Sequence, residues 1–121
     1  MPADITVLME NRPGALADIA EALGQAGVNI EGMCGFVNAG RGVGHLLVED
    51  PTAARRALSG VCEVGEEREV LVVDLEDRPG ALGSVVRRLA DAGVNVEVGY
   101  LTAKLQVVLA VSDIERAKTV L

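Results

Sequence analysis

Aromatic side chains are almost absent from this chain: its 121 residues include one Phe, one Tyr and no Trp. The core therefore has to be built from Val, Leu, Ile and Ala, which favours shallow, β-branched layers. Histidine and cysteine are nearly as scarce. His45, Cys34 and Cys62 form neither a CxxC pair nor a Cys/His spacing, which argues against a zinc site. No apolar run approaches membrane-spanning length, and Met1-Pro2-Ala3-Asp4 has none of the basic residues that open a secretory signal. A basic cluster is missing too. With a formal net charge of −7 and a pI near 4.6, the chain repels phosphate backbones and anionic headgroups, so neither nucleic acid nor membrane is an expected partner. The expected location is a reducing cytoplasm.

What is present is a repeat. Glu10 to Glu31 reads ENRPGALADIAEALGQAGVNIE, and Glu76 to Glu97 reads EDRPGALGSVVRRLADAGVNVE. The two segments share 12 of 22 positions without a gap, with Arg12 answering Arg78 at an offset of 66. A match of this length marks a duplicated module. It resumes after a slip of three residues, where Val48-Glu49-Asp50 answers Val111-Ser112-Asp113 at an offset of 63. The first copy thus carries a small insertion, placed by its glycines in a hairpin loop at Gly40-Arg41-Gly42. The expected modules are residues 1–66 and 67–121.

Within each copy the hydrophobic period changes in step. Ile5, Val7 and Met9, like Leu71, Val73 and Leu75, alternate as a strand does. After Arg-Pro-Gly the apolar positions become Leu16, Ile19, Ala20 and Leu23, matched by Leu82, Val85, Val86 and Leu89, the stripe of a helix lying on a sheet. Gly27 and Gly93 stop those helices. A second strand is expected from Val28 and Val94, and a third around Val43 to Glu49 and Leu105 to Ser112. A second helix then follows Asp50 and Asp113, with Pro51 suited to its first turn. In the first copy Val61 to Gly65 supplies a closing strand, whereas the second copy ends inside its last helix. The fold class is α+β: two tandem ferredoxin-like βαββαβ modules, antiparallel sheets with helices on one face, the second without its last strand. An edge left open in this way is commonly covered by another chain, which makes a homodimer the expected assembly.

The Arg-Pro-Gly loop with its preceding Asn11 or Asp77, followed by Gly-Val-Asn at the second strand, resembles the ACT domain family over nearly the whole chain, twice. A tandem pair without a catalytic domain is similar to stand-alone double-ACT proteins. The resemblance implies a non-catalytic regulatory, allosteric sensor. It would hold an amino acid between the first β-α loop of one module and the second strand of a neighbouring one, with a partner enzyme as a further expectation. Carried onto this chain, the site residues are Asn11, Gly14, Ala15, Leu16 and Asn29, with Asp77, Gly80, Ala81, Leu82 and Asn95 in the second copy. Their chemistry suits the role: glycines allow close approach, a helix N-terminus attracts a carboxylate, and Asn or Asp accepts from an ammonium group. Each also has a plainer reading, since Asn11 and Asp77 can act as helix caps and Asn29 and Asn95 can satisfy local backbone. Serine-binding members carry a His two residues before the loop Asn; here Met9 and Leu75 stand there, which points to a branched-chain or aromatic ligand, with Tyr100 a candidate for lining the pocket.

Catalytic chemistry has little to work with. His45 lies in a predicted strand and answers Val108 in the other copy. Cys34 and Cys62 suit small buried apolar positions. Glu63 to Glu69 reads as a solvated joint between the modules. No GxxxxGK[ST] occurs, and no GxGxxG opens a helix after a strand. No enzyme activity, metal or cofactor is expected. The alternative to a sensor is a structural module that modulates a partner without a small ligand.

Overall fold

The computed structural model describes residues 2–121. The chain divides into two compact units, one running through Arg68 and one from Glu69 to Leu121. The first contains β1 (Ala3–Glu10), α1 (Ala15–Gln25), β2 (Gly32–Asn38), β3 (Arg41–Val48), α2 (Pro51–Ala57) and β4 (Glu63–Glu69). Its strands lie in the order β2-β3-β1-β4, the ferredoxin-like βαββαβ arrangement. The second contains β5 (Leu71–Asp74), α3 (Ala81–Asp91), β6 (Val96–Leu101), β7 (Gln106–Val111) and α4 (Ile114–Val120), with three strands ordered β5-β7-β6.

The alternation expected for β1 sets the core. Ile5 and Val7 join Leu46 and Val48 of β3, Ile19 and Leu23 of α1, and Ala54 and Leu58 of α2, all essentially inaccessible to water. The second core repeats the scheme with Leu71, Leu89, Val107, Leu109, Val111 and Ala117. At about 1.5–3 kcal/mol for each fully buried aliphatic side chain, these small clusters supply the main driving force for each unit. The helix stripe is narrower than its sequence pattern: Ala15, Ile19 and Leu23 are buried, but Leu16 is 45% exposed and its counterpart Leu82 is 42% exposed.

Both long helices end in the same motif. Gly27 and Gly93 take φ values of 73° and 77°. Val28 N–H donates to the Leu23 carbonyl and Val94 N–H to that of Leu89, both at 2.9 Å, the six-residue closure of a Schellman turn. Asp50 and Asp113 cap the short helices, their Oδ1 atoms accepting from Ala53 N–H at 3.1 Å and Arg116 N–H at 3.0 Å.

Four local expectations change. The first hairpin turns at Ala39-Gly40 alone, with φ of 51° and 77°, and Arg41 and Gly42 already belong to β3. Two left-handed residues make the tightest hairpin the right-handed strand twist allows, so the three inserted residues lengthen the strands and not the loop. In the second unit residues 102–105 form the connection, braced by Thr102 Oγ1, which accepts from Lys104 N–H and Gln106 N–H at 3.2 Å each. The second strands start later than the apolar pattern suggests, at Gly32 and Val96, leaving Asn29 and Asn95 in the preceding loops. Finally, the closing strand expected at Val61 to Gly65 forms two residues later, as β4, and takes up the whole of Glu63 to Glu69 as an edge strand beside β1, so that stretch is no joint.

Candidate functional site

The loop that links β1 to α1 is built around an arginine. Arg12 Nε lies 3.0 Å from Glu10 Oε2, its second amine 3.0 Å from Asp18 Oδ2, and Nη1 donates to the Pro13 carbonyl at 3.1 Å. The Asp18 hydrogen bond first, then that of Glu10, raises the Arg12 pKa, so the guanidinium is permanently charged and already engaged. Held in this way, the loop delivers Gly14 at φ 90° as the residue before α1. No side chain caps the helix, which removes the capping role open to Asn11; Ala15 N–H donates to the Arg12 carbonyl at 3.4 Å, and the N–H groups of Leu16 and Ala17 carry no side-chain cap. Gly80 does the same for α3 at φ 89°, again without a side-chain cap from Asp77.

Beside this helix end lies a groove of about 340 Å³, within the range of small-ligand sites. Asn11, Arg12, Ala15 and Leu16 form one wall; Met33 and Val37 of β2 form another. Leu16, Met33 and Val37 are 37–58% exposed, an unusual concentration of accessible apolar surface along one cleft. The floor is Val7 and Met9 of β1 with Gly42 and Gly44 of β3. Register explains the shape: Val7 faces Gly44 and Met9 faces Gly42, on the helix side of the sheet.

Of the residues singled out in the sequence, Asn11, Ala15 and Leu16 meet at this groove, with Gly14 at its helix end. Asn29 does not join them. It lies in a different depression with Gly27, Val28, Glu31, Glu49 and Asp50. In the second unit Asp77 and Leu82 are exposed, Ala81 is buried at the start of α3, and Asn95 is engaged with its neighbour strand. There the Asn95 N–H donates to Ser112 Oγ at 3.0 Å, and its carbonyl accepts from Ser112 N–H at 2.9 Å. Tyr100 is buried in β6 opposite Val108. The glycine floor is what sequence reasoning missed: Gly42 read as a loop residue and Gly44 as an unremarked member of the third strand, so their period of two on one strand face went unnoticed.

A second polar feature lies on β1. Asp4 is fully buried, and its Oδ2 is 3.0 Å from His45 Nδ1 on β3. His45 also stacks on Phe36, with ring centroids 6.5 Å apart. Burial pushes the thiols of Cys34 and Cys62 up, away from the reactive thiolate form. Among the described residues no three His, Cys, Asp or Glu side chains gather as metal ligands, and no helix is long and apolar enough to cross a membrane.

Residues 3–33 match the model of the ACT domain. No match is found among curated proteins. Solved structures similar to the chain include protein BT0572 from Bacteroides thetaiotaomicron, at 28% identity over 98% of this chain and 84% of that one, with a TM-score of 0.86. The ligand-free regulatory subunit of aspartate kinase from Thermus thermophilus is 21% identical over 99% of this chain and 87% of its own, with a TM-score of 0.76. The corresponding subunit from Thermus flavus is 19% identical over 98% and 87%, with a TM-score of 0.74.

Proposed function

We propose that this ACT-domain protein is a non-catalytic regulatory sensor whose first unit holds an amino acid with an apolar side chain. The observation that carries this reading is the groove itself: accessible apolar side chains line a cleft that ends at an uncapped helix N-terminus. An amino acid offers the complementary pieces. Its carboxylate suits the helix N-terminus that Gly14, Ala15 and Leu16 open, where the dipole favours negative charge. Its ammonium suits Asn11 Oδ1, and its side chain suits Leu16, Met33 and Val37.

Asn29, lying apart from the groove within its own unit, is assigned to the ligand of a neighbouring module, with Asn95 in the same role. The equivalent loop residues Asp77, Gly80, Ala81 and Leu82 form the corresponding half-site of the second unit. β5 lies at an edge of its three-stranded sheet, which suits pairing with a second copy, so the working form is a homodimer. The fold shared with aspartate kinase regulatory subunits supports an output through a partner enzyme. A second reading, docking of a protein without a small ligand, is favoured by β2, an edge strand without a charged residue that exposes Phe36 and Val37.

Thermal unfolding in the presence of each amino acid separates the two readings. A ligand at a hundred times its dissociation constant stabilises the folded state by about 2.7 kcal/mol. An apolar amino acid is expected to raise the melting temperature, and Asn29→Ala to abolish that rise with the unliganded melt unchanged. Melting temperatures that ignore every amino acid would overturn the sensor reading in favour of docking.

A further inference from the structure

We propose that Gly42 and Gly44 are specificity-determining residues: lacking Cβ atoms, they leave a seat for an aliphatic ligand side chain beneath α1, and the first unit alone has it. The inference rests on the sensor reading and narrows it to leucine- or methionine-sized amino acids, one per chain. The geometry is specific. A Cβ on Gly42 would lie 2.6 Å from Met9 Cγ, and one on Gly44 would lie 2.9 Å from Val7 Cγ2 and 3.3 Å from Met9 Cε. Neither glycine has a positive φ, so backbone conformation does not demand them. What their missing side chains provide is room, and the Met9 side chain lies across that room.

Methionine is unbranched and adaptable, the type of side chain that can give way to a guest of similar bulk. Moving it aside frees space of about its own size, enough for an aliphatic chain and too little for an aromatic ring. The second unit has no such seat. Val73 pairs with Val107 as Val7 pairs with Gly44, and Leu75 N–H donates to the Leu105 carbonyl at 3.1 Å where Met9 faces Gly42. Val107 is 3% exposed and part of the core, so the corresponding space is filled from within.

The test is calorimetric titration of the full chain with leucine, methionine, phenylalanine and serine, beside three variants. The wild type is expected to bind one leucine per chain and to bind phenylalanine and serine more weakly. Gly44→Ala should weaken leucine at least about tenfold, the effect of mismatching a hydrophobic pocket by a methyl group or two. Met9→Ile, β-branched and stiff at χ1, keeps the seat filled without placing a Cβ against Val7, so it should cost similar affinity even where Gly44→Ala perturbs folding. Met9→Ala should shift preference toward phenylalanine. Two leucines per chain, or leucine binding indifferent to Gly44→Ala and Met9→Ile, would overturn this inference and leave the sensor reading standing. Absence of binding by all four amino acids would overturn both.

Discussion

The two units are copies that agree in their framework and differ in what they leave open. Leu23 and Leu89 occupy the same place, both completely buried, and both precede a glycine-closed helix end. Along β3 and β7, however, Gly44 answers Val107 and His45 answers Val108, while Asp4 of β1 answers Val70, the residue just before β5. In the first unit these positions give a groove and a buried Asp–His pair. In the second, valines pack where those features would be. Duplication therefore preserved the positions that fold the chain and released the positions that shape its surfaces.

The largest test of this comparison is in the cores. Leu23→Ala and Leu89→Ala should each lower stability by about 2–5 kcal/mol in denaturant unfolding, the cost of a cavity at a fully packed site. A loss near zero for either would show that unit's core to be loosely packed. Next comes the polar pair. Asp4→Val and His45→Val, which import the second unit's residues, should each cost about 1–3 kcal/mol by leaving a buried polar partner behind. The double variant should cost clearly less than their sum; strict additivity in the double-mutant cycle would show the pair uncoupled. Smaller still, Gly27→Ala and Gly93→Ala should each cost about 1–2 kcal/mol through a left-handed backbone that a Cβ disfavours. Here the two units are expected to respond alike, and unequal losses in thermal melts would break the equivalence of their helix ends.

The framework was legible because it repeats. Alternation in β1 and β5, the stop at Gly27 and Gly93, and the caps Asp50 and Asp113 are local signals with local causes, and duplication printed most of them twice. The candidate site was legible in part. Asn11, Gly14, Ala15 and Leu16 stand in one loop and helix start, so adjacency in sequence became adjacency in space. Its floor was not, because pairing Gly42 with Met9 and Gly44 with Val7 is a matter of the register between β1 and β3, strands about 35 residues apart that no turn joins. β4 was expected, but at Val61 to Gly65; its second half was read as a joint because on an edge strand the charges that suit solvent outweigh the alternation that marks a sheet.

That charged strand bears on how the protein behaves in a crowded solution. Four of the seven residues of β4 are glutamates, and Arg68 is the sole cation among them. Arg41, Arg55, Arg68 and Lys118 each lie within 4.0 Å of one of these carboxylates and offset part of their charge. A second molecule approaching this edge to extend the sheet would still bring carboxylates against carboxylates, a barrier of long-range repulsion and not of shape. Such repulsion is only as durable as the Debye length, about 10 Å at 0.1 M salt and about 3 Å at 1 M. Resistance to fibre-like stacking through β4 is therefore a property of the medium as much as of the chain, and concentrated salt is the condition that withdraws it.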